Sequence, residues 1–586
     1  MEKNVTNWLK KRHSVLWEEL RDNEFEKEQA VEILTGEKIK DGEKSVNMIL
    51  SELRRSGLLE IKHNPVDARR SIYKLKPVET IEDILSKNNL TRSDIDSLLK
   101  KAADLIRTRV DYKFILILLF LKRISDKWEL ERENAYEEAL EDGFSENEAE
   151  EEAKNPAYHD FDFPEQFLWE NIRKDPVKLP ENFSGALKAL SERNPELKDI
   201  LGDVDFIQFT QNRENSEILR QLVELFSAKK LDNVSADMLG DAYEWILAYF
   251  APQKAKEGEV YTPREVIKLI VEILDPKPGE KVYDPASASN GMLIISYKHV
   301  EDLKGRNEAD KVFLCGQEAN TKTLALGKMN LYIHDIKNAK VLYGDTLLYP
   351  KFKNPEGVEK FNVVIANPPW NQDGYDENVL KKGEFWKKRF KYGFVPKQSA
   401  DWAWIQHMLA SAKDDNGKVG VVIDNGCLFR GGKERTVRAK ILDEGLIECV
   451  ILLPEKLFYN TGAPGAIIIL NKNKPDERKE KVLFINASSE YEKHPGVRKL
   501  NILTDKNIKN ITEIYRDSRK IEGISRVVPI DEIRENDYNL NVTLYAFPVE
   551  EIEEIDIEGE WIKLKENERE IKEIENKIEG FLKIIK

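Results

Sequence analysis

The sequence has few cysteines and no excess of basic residues. Its 586 residues include three cysteines, Cys315, Cys427 and Cys449, and none of them lies in a CxxC pair. Such a sparse, odd set argues against a disulfide framework and is typical of a reducing cytoplasm. Because lysine and arginine neutralise phosphates, a net charge of −15 excludes a nucleic-acid surface spread over the whole chain. Any such surface is local, or a partner supplies it.

Long apolar segments are also missing. The longest apolar run, Phe114 to Leu121, is far short of the roughly 20 residues of a membrane helix and predicts a buried helix instead. Met1 opens a polar, charged segment, which indicates that no signal peptide is present. A cytoplasmic protein without a membrane partner is therefore expected.

Several reaction centres are absent from the sequence. It contains no GxxxxGK[ST] phosphate loop, no cysteine directly after a proline, and no HExxH or zinc-finger spacing among its seven histidines. These absences exclude nucleotide hydrolysis on a phosphate loop and the cysteine nucleophile of cytosine-C5 methylation. They also predict that the chain has no metal site.

A chain of this length is expected to form several domains. Residues 1–78 predict a small winged-helix-like extension, in which an apolar helical face precedes two extended runs, 58–63 and 71–76. That face consists of Val46, Ile49, Leu50 and Leu53. A module that binds DNA or a partner and a module that only packs against the chain both fit this pattern.

The next region, residues 79–235, is predicted to be a helical domain. Thr91 is expected to cap a helix whose buried face holds Ile95, Leu98, Leu99, Ala102 and Ile106. At the other end, residues 560–586 predict an amphipathic helix with Ile571, Ile574, Ile578, Leu582 and Ile585 on one face. This face fits a partner helix, and it equally fits a helix that folds back on its own chain.

The catalytic region is assigned to residues 236–480, with residues 481–559 as its C-terminal part. Seven short apolar runs alternate here with helical segments, at 281–283, 312–315, 341–343, 361–366, 419–423, 449–453 and 466–470. This alternation predicts an α/β fold with a mostly parallel, doubly wound, Rossmann-like sheet. Ligands bind such sheets at the carboxyl ends of their strands.

The most specific segment is Asn367-Pro368-Pro369-Trp370, directly after the strand FNVVIA. An aromatic amine is a poor nucleophile because its lone pair is delocalised into the ring. Two oxygen acceptors, the side chain of Asn367 and the carbonyl of Pro368, are expected to take its protons. Prolines stiffen the rim, and Trp370 offers a flat face for a base swung out of a duplex. The bland alternative is a proline-rich turn after a strand.

Acids and small residues follow the earlier strands. The loop of residues 284–291 contains Asp284, Ala286, Ser289 and Gly291, so backbone amides can approach a ligand closely. Glu318 and Asp345 end the next two strands, where such acids hold ribose hydroxyls or an adenine amine. Taken singly, each acid also fits a helix cap. Before the first strand, Tyr261-Thr262-Pro263 is expected to close over the ligand, or to be only a helix start.

Together these segments resemble the modification (M) subunit of type I restriction–modification systems, a γ-class N6-adenine DNA methyltransferase. The resemblance runs from about residue 80 to the C-terminus. It rests on LGDAYEWILAYFA (239–251), EGEVYTP (257–263), DPASASNGML (284–293), GQEAN (316–320), GDTL (344–347), NPPW (367–370), ADWAWIQHML (400–409), NGCLFRGGKE (425–434), LPEKLFYNTGAPGAIIIL (453–470) and DYNLN (537–541).

The resemblance implies transfer of a methyl group from S-adenosylmethionine to N6 of an adenine flipped out of double-stranded DNA. Asn367, Pro368, Pro369 and Trp370 would form the catalytic pocket, with Phe458 packing against the flipped base. The donor would be bound by Tyr261, Thr262, Pro263, Asp284, Ala286, Ser289, Gly291, Glu318, Asp345 and Asn367. No metal is implied.

The resemblance also implies partners. A specificity (S) subunit would read the DNA sequence, a second modification subunit would help to clamp the duplex, and the C-terminal helix would meet the specificity subunit. Whether a restriction (R) motor-nuclease subunit joins stays open. Two departures stand out: Ala288 and Asn290 occupy positions where the donor loop usually carries glycine, and the usual subunit lacks residues 1–78.

Two other functions are compatible with parts of the sequence. Loops of this type also serve methyltransferases that act on protein glutamine or on RNA, although the segments after residue 400 count against this. A catalytically weak, DNA-binding scaffold subunit is the third possibility, and its support is limited to Ala288 and Asn290.

Overall fold

The computed structural model describes most of the chain. The described residues are 7–21, 23–36, 43–55, 58–63, 71–76, 91–106, 111–197, 205–232, 234–255, 261–459, 461–495, 497–547 and 557–585. Residues 257–260 of the segment EGEVYTP, residue 460 of LPEKLFYNTGAPGAIIIL and the predicted domain boundary at 78 lie outside them.

The N-terminal unit combines three helices with a small antiparallel sheet. Its elements are α1 (Asn7–Leu20), β1 (Glu24–Glu26), α2 (Lys27–Leu34), α3 (Glu43–Arg55), β2 (Leu59–His63) and β3 (Ser71–Leu75). The strands lie in the order β1-β3-β2. The predicted apolar face of α3 is buried in the core of this unit, and β2 and β3 contain the two predicted extended runs.

A helical domain follows. Its helices are α4 (Arg92–Ile106), α5 (Lys113–Glu141), α6 (Glu146–Glu152), α7 (Trp169–Arg173), α8 (Leu179–Arg193), α9 (Phe206–Phe209), α10 (Arg213–Ser227) and α11 (Ala236–Ala255). The hydroxyl of Thr91 accepts a hydrogen bond from the Asp94 amide, and the predicted face of α4 is buried, as is the apolar run at the start of α5. The helix α11 begins after the predicted boundary at 235, yet its apolar side chains pack in this helical core.

The rest of the described chain, apart from its C-terminal helix, builds one large α/β domain. Its strands are β4 (Lys281–Asp284), β5 (Phe313–Glu318), β6 (Ala339–Tyr343), β7 (Lys353–Asn354), β8 (Gly357–Val358), β9 (Val363–Ala366), β10 (Lys418–Asp424), β11 (Ile447–Leu452), β12 (Gly465–Asn471), β13 (Lys481–Asn486), β14 (Glu492–Lys493), β15 (Asn501–Ile502) and β16 (Ser525–Pro529). Nine of them form one sheet in the order β16-β13-β11-β12-β10-β9-β4-β5-β6.

This sheet is mostly parallel. Its two antiparallel members are β12, between β10 and β11, and the edge strand β16. All seven predicted strands are present, with ends that differ by at most three residues. The sheet also continues past residue 480, because β13 pairs in parallel with β11.

Both faces of the sheet are covered. Along β9, Val364 and Ala366 pack into one core, whereas Val363 and Ile365 pack into the other. The covering helices are α12 (Arg264–Leu274), α13 (Gly291–Lys304), α14 (Arg306–Ala309), α15 (Thr321–Ile333), α16 (Glu377–Leu380), α17 (Trp386–Arg389), α18 (Asp401–Ser411), α19 (Gly432–Asp443), α20 (Asp505–Asp517) and α21 (Ile530–Glu535). The predicted doubly wound fold is confirmed.

The α/β domain and the helical domain are joined through α15. Ala325, Leu326, Met329 and Ile333 of this helix lie in the apolar core of the helical domain. Short 3-10 turns complete the fold at Pro156–Tyr158, Glu165–Phe167, Pro195–Leu197, Asn425–Leu428, Asp476–Arg478 and Val542–Leu544.

The C-terminal helix α22 (Ile557–Ile585) is 29 residues long. Trp561, Ile562, Ile571, Ile574 and Ile578 are each more than half exposed. These five side chains are therefore largely exposed in this structure, whereas Leu582 and Ile585 of the predicted face lie outside the described side chains. In the described part of the chain, no helix is both long and apolar enough to cross a membrane.

Candidate active site

The sheet has a switch point beside β4. The chain adds β5 and then β6 on one side of β4, whereas β9 pairs with the other side. Parallel strands that diverge in this way leave a crevice at their carboxyl ends. The loops that follow β4 and β9 meet there, and they carry the two most specific segments of the sequence.

The loop after β4 is held by its neighbours through backbone groups. The Asp284 carboxylate accepts the Ala286 amide at 3.0 Å, and the Glu318 carboxylate accepts the Ala288 amide at 2.9 Å. The Ser287 amide donates to the carbonyl of Gln317 on β5. Asp284 and Glu318 therefore shape the loop before they meet any ligand.

The two departures from glycine lie in backbone that favours glycine. Ala288 has φ of 42° and Asn290 has φ of 64°, both in the left-handed region. Gly327 on α15 makes room for them, since a β-carbon there would lie 2.6 Å from the Ala288 carbonyl oxygen and 2.7 Å from Asn290 Nδ2. The loop thus keeps the shape that glycine normally provides, at the cost of local backbone strain.

Asn290 is fully buried. Among the residues that the structure describes, neither its Oδ1 nor its Nδ2 has a hydrogen-bond partner. Burying polar atoms in this way is costly, so the donor loop contains a second local weakness beside its strained backbone.

A cavity of about 270 Å³ opens at the crevice. Eight of the predicted donor-binding residues line it, namely Tyr261, Thr262, Asp284, Ala286, Ser289, Gly291, Glu318 and Asn367. Two predicted residues, Pro263 and Asp345, are not in its lining. The sequence-predicted donor segments thus converge on one cavity from four separate stretches of chain.

The sequence did not predict one wall of this cavity. Tyr112, Glu244 and Leu247 come from α11 and the start of α5, and they face the loop after β4. The carboxylate of Glu244 accepts hydrogen bonds from Asn330 Nδ2 at 2.6 Å and, more weakly, from the Tyr261 hydroxyl at 3.5 Å. Burial raises the pKa of Glu244. Glu244 and Leu247 lie in the segment LGDAYEWILAYFA, but their place in the cavity depends on how the two domains pack.

Asp284 is a buried acid of the predicted site with a strongly raised pKa. Its side chain is 1% exposed, and burial together with the charge of Glu318 raises its pKa to about 8. A buried carboxyl of this kind binds a cation favourably, because a nearby positive charge stabilises the ionised form. Perturbed acids in a cavity are typical of functional sites.

The carboxylate of Asp345, which does not line the cavity, is already partnered. One oxygen accepts the Leu348 amide at 3.1 Å, and the other accepts the Tyr375 hydroxyl at 2.8 Å. Its contact with the donor stays a prediction.

The loop after β9 presents the side chains expected to act on the target. Asn367 Nδ2 donates to the Thr262 hydroxyl oxygen at 2.8 Å, and Trp370 Nε1 donates to Asn367 Oδ1 at 2.8 Å. Pro368 is buried, whereas Pro369 is exposed at the rim. Asn367 also lines the donor cavity, so this one side chain borders both parts of the site.

Trp370 rests on a second aromatic ring. Its ring packs edge to face against Phe458, with centroids 4.8 Å apart. Phe458 is only 1% exposed, so it supports Trp370 from within the core. Gly465 permits this packing, because a β-carbon there would lie 2.7 Å from the Phe458 ring and 3.0 Å from the Trp370 ring.

The residue after Trp370 is anchored by a charged network. Asn371 has φ of 53°, and its amide donates to Asp401 at 2.9 Å. Arg430 binds both Asp401 and Glu434 at 3.2 Å and also donates to the side chain of Asn371. The segments ADWAWIQHML and NGCLFRGGKE thus fix the end of the Asn-Pro-Pro-Trp loop, which gives a physical reason for their place in the pattern.

A doubly wound sheet with a donor loop after its first strand and an Asn-Pro-Pro-Trp loop after its fourth defines an S-adenosylmethionine-dependent amino-methyltransferase. Comparison with known proteins narrows this class. A sequence profile of the N-6 DNA methylase family matches residues 234–554, and that of the HsdM N-terminal domain matches residues 95–226.

Two relatives from Methanocaldococcus jannaschii match nearly the whole chain. The type I restriction enzyme MjaVIII methylase subunit is 46% identical over 560 residues, covering 93% of both chains. The type I restriction enzyme MjaVII methylase subunit is 43% identical over 594 residues, covering 99% of this chain and 98% of its own. The second alignment extends over most of residues 1–78, so that relative shares the N-terminal extension.

A solved structure has the same architecture. The methyltransferase subunit of a type I restriction–modification system from Streptococcus thermophilus matches with a TM-score of 0.67 and 27% identity, covering 78% of this chain and all of its own. The chain belongs to the N-6 DNA methylase family, among the methylase subunits of type I restriction enzymes.

Proposed function

We propose that this chain transfers a methyl group from S-adenosylmethionine to N6 of an adenine in double-stranded DNA, as the modification subunit of a type I restriction–modification complex. The observation that carries the proposal is the position of Asn367. It lines the donor cavity and is hydrogen-bonded to Trp370, so the methyl donor and the target base would meet at its side chain.

The residues present fit S-adenosylmethionine. The donor has a cationic sulfonium and ammonium, and the cavity is lined by the carboxyls of Asp284, Glu318 and Glu244. Its ribose hydroxyls can donate hydrogen bonds to a carboxylate such as Glu318. The small side chains of Ala286, Ser289 and Gly291 allow the backbone to approach a ligand closely.

When bound, this donor supplies a methyl group on sulfonium. The remaining requirements fall on the chain itself. Asn367 Oδ1 and the Pro368 carbonyl would accept hydrogen bonds from the two amine protons, leaving the lone pair directed at the methyl carbon. As the new N–C bond forms and the methyl–sulfur bond breaks, which leaves a neutral thioether, the amine nitrogen would lose one proton to solvent. Holding both reactants in line would supply most of the rate enhancement.

The target adenine would have to leave the DNA stack to reach this site. Flipping a base costs a few kcal/mol, and stacking on Trp370, which is supported by Phe458, would offset part of that cost. The prolines of the loop keep its rim stiff.

The proposed function includes partners. The exposed apolar face of α22 would pack against helices of a specificity subunit, and a second modification subunit would complete the clamp on DNA. An acidic chain needs such help to hold a polyanion. A restriction subunit would join only for cleavage. Because the substrate is chromosomal or invading DNA, the complex would act in the cytoplasm.

The test is tritium transfer from labelled S-adenosylmethionine to DNA. The chain is assayed alone and co-purified with the specificity subunit encoded beside it, with Asn367→Ala as the inactive control. We expect labelled N6-methyladenine only when both subunits are present. Loss of one acceptor at the reacting amine is expected to lower the rate by about 10²–10³-fold in the control.

Each other outcome selects an alternative. Robust methylation by the chain alone would mean that it recognises DNA by itself, with residues 1–78 as the first region to examine. Label in protein or RNA, but not in DNA, would establish a different substrate. No transfer and no donor binding would contradict the enzyme proposal and leave the scaffold.

A further inference from the structure

The side-chain amide of Asn367 is held at both ends. Its Nδ2 donates to the Thr262 hydroxyl oxygen, and its Oδ1 accepts from Trp370 Nε1, each at 2.8 Å. An indole nitrogen can only donate, so the amide must turn its oxygen towards Trp370. Thr262 provides the matching acceptor for the amide nitrogen. The two contacts together leave one orientation of the Asn367 amide satisfied.

This orientation matters because the two ends of an amide are chemically opposite. A carbonyl oxygen has two lone pairs, so Oδ1 can accept a proton from a target amine while it still binds Trp370. Rotating the amide by half a turn would present an NH2 group to the target NH2 group. Two donors would then face each other, and the indole N–H would lose its acceptor.

Thr262 lies 105 residues before Asn367 in the chain, directly ahead of α12. It lines the donor cavity, in keeping with the donor-binding role that the sequence analysis expects for it. Its hydroxyl, however, is engaged by Asn367 in this structure.

We propose that Thr262 is a positioning residue for methyl transfer: its hydroxyl fixes the Asn367 amide so that Oδ1 is presented to the target amine. This inference rests on the proposed function. It assigns the Thr262 hydroxyl to the chemical step, whereas the backbone and methyl group of Thr262 remain part of the cavity wall.

The test compares Thr262→Val, which keeps the shape and loses the acceptor, with Thr262→Ser, which keeps the hydroxyl. Both are assayed as the complex with the specificity subunit. One net hydrogen bond corresponds to a factor of about three to ten, so kcat of Thr262→Val should fall by that factor. Donor Kd from calorimetry should stay within about twofold, and Thr262→Ser should restore kcat.

A structural readout keeps the test independent of methylation. In the free chain labelled with 15N-tryptophan, the Trp370 indole N–H is assigned by its loss in Trp370→Phe. In Thr262→Val, the amide loses its anchor, so hydrogen exchange at this N–H should be about three to ten times faster.

Two results would overturn the inference. One is a Thr262→Val variant with weaker donor binding and an unchanged kcat, since the hydroxyl would then serve the donor. The other is unchanged indole exchange, which would show that Thr262 does not anchor the amide. A wild-type complex that methylates no DNA would contradict the proposed function instead, and the exchange measurement would still decide the role of Thr262.

Discussion

The two halves of the proposed active site are held in place by different means. The donor half, residues 284–291 and 318–320, is ordered mainly through backbone amides that donate hydrogen bonds to the carboxylates of Asp284 and Glu318. The base half, residues 367–370 with Phe458 and Gly465, is ordered through side chains, since Asn367 and Trp370 bond to each other and Trp370 packs on Phe458.

The difference shows where substitution can be absorbed. A loop defined by its backbone can change side chains, provided that φ stays in the left-handed region and space is available. This is how Ala288 and Asn290 stand where glycine is usual. A pocket defined by side-chain atoms, such as those of Asn367 and Trp370, has no such freedom.

One glycine lies beneath each half, and this pair gives the sharpest test of the comparison. In Gly327→Ala, the new β-carbon would lie 2.6 Å from the backbone oxygen of Ala288, so the donor loop itself must move. Overpacking of this kind costs about 1–3 kcal/mol, so we expect donor Kd to rise about tenfold to a hundredfold. Calorimetry with S-adenosylmethionine measures it. Donor affinity equal to that of wild type would contradict the close fit.

The matching change in the base half is Gly465→Ala. Its β-carbon would meet the rings of Phe458 and Trp370, which can give way more easily than a backbone. At the low end of the overpacking cost, about 1 kcal/mol, DNA methylation by the complex should fall about fivefold. Donor Kd should not change, which is the opposite of Gly327→Ala. A common effect of both variants on donor binding would break the division into two halves.

Donor binding is also expected to depend on pH through Asp284. Its pKa is raised to about 8, so the carboxyl is mostly neutral below that pH. The cationic methyl donor binds the ionised Asp284 carboxylate better than the neutral carboxyl. Below pH 8, its binding must therefore release a proton from Asp284. Affinity should rise about threefold or more from pH 6.5 to pH 8 and then level off.

Asp284→Asn is the control for this dependence, because the titration of the donor's own amino group is common to both proteins. Calorimetry at each pH should show a flatter profile in the variant. Parallel profiles for the two proteins would assign the dependence to the donor or to Glu244.

The smallest expected effect is relief of strain in the donor loop. Left-handed backbone costs about 1–2 kcal/mol for a residue with a β-carbon. Glycine avoids this cost, but it loses more conformational entropy on folding, which offsets about 0.5–1 kcal/mol of the gain. Ala288→Gly should therefore raise Tm by about 1–2 °C. Ala286→Gly is the matched control, since Ala286 is not among the residues with positive φ, and it should lower Tm slightly. A lower Tm in Ala288→Gly would show that the loop is not strained.

The sequence predicted the elements that have a local signature. The strands of the sheet are near-continuous apolar runs, so all seven predicted runs were found. The strands β13 and β16 extend the sheet beyond residue 480 and were not predicted as strands. The donor segments converged as expected, because the carboxyl ends of parallel strands share one edge.

Features that depend on long-range packing could not be predicted. Tyr112 and Glu244 reach the donor cavity only because α5 and α11 dock on α15. The hydrogen bond from Asn367 to Thr262 joins residues 105 positions apart. Asp345 followed the expected strand, but its carboxylate accepts a hydrogen bond from Tyr375, a partner that no spacing rule indicates.

The shared wall of the donor cavity ties cofactor occupancy to domain assembly. Since the helical domain supplies Tyr112, Glu244 and Leu247, a donor bound in this cavity would contact both domains and stabilise their packing. By linkage, a donor at a hundred times its Kd would add about 2.7 kcal/mol to the assembled form. A subunit with the donor bound would then resist unfolding better than the empty subunit.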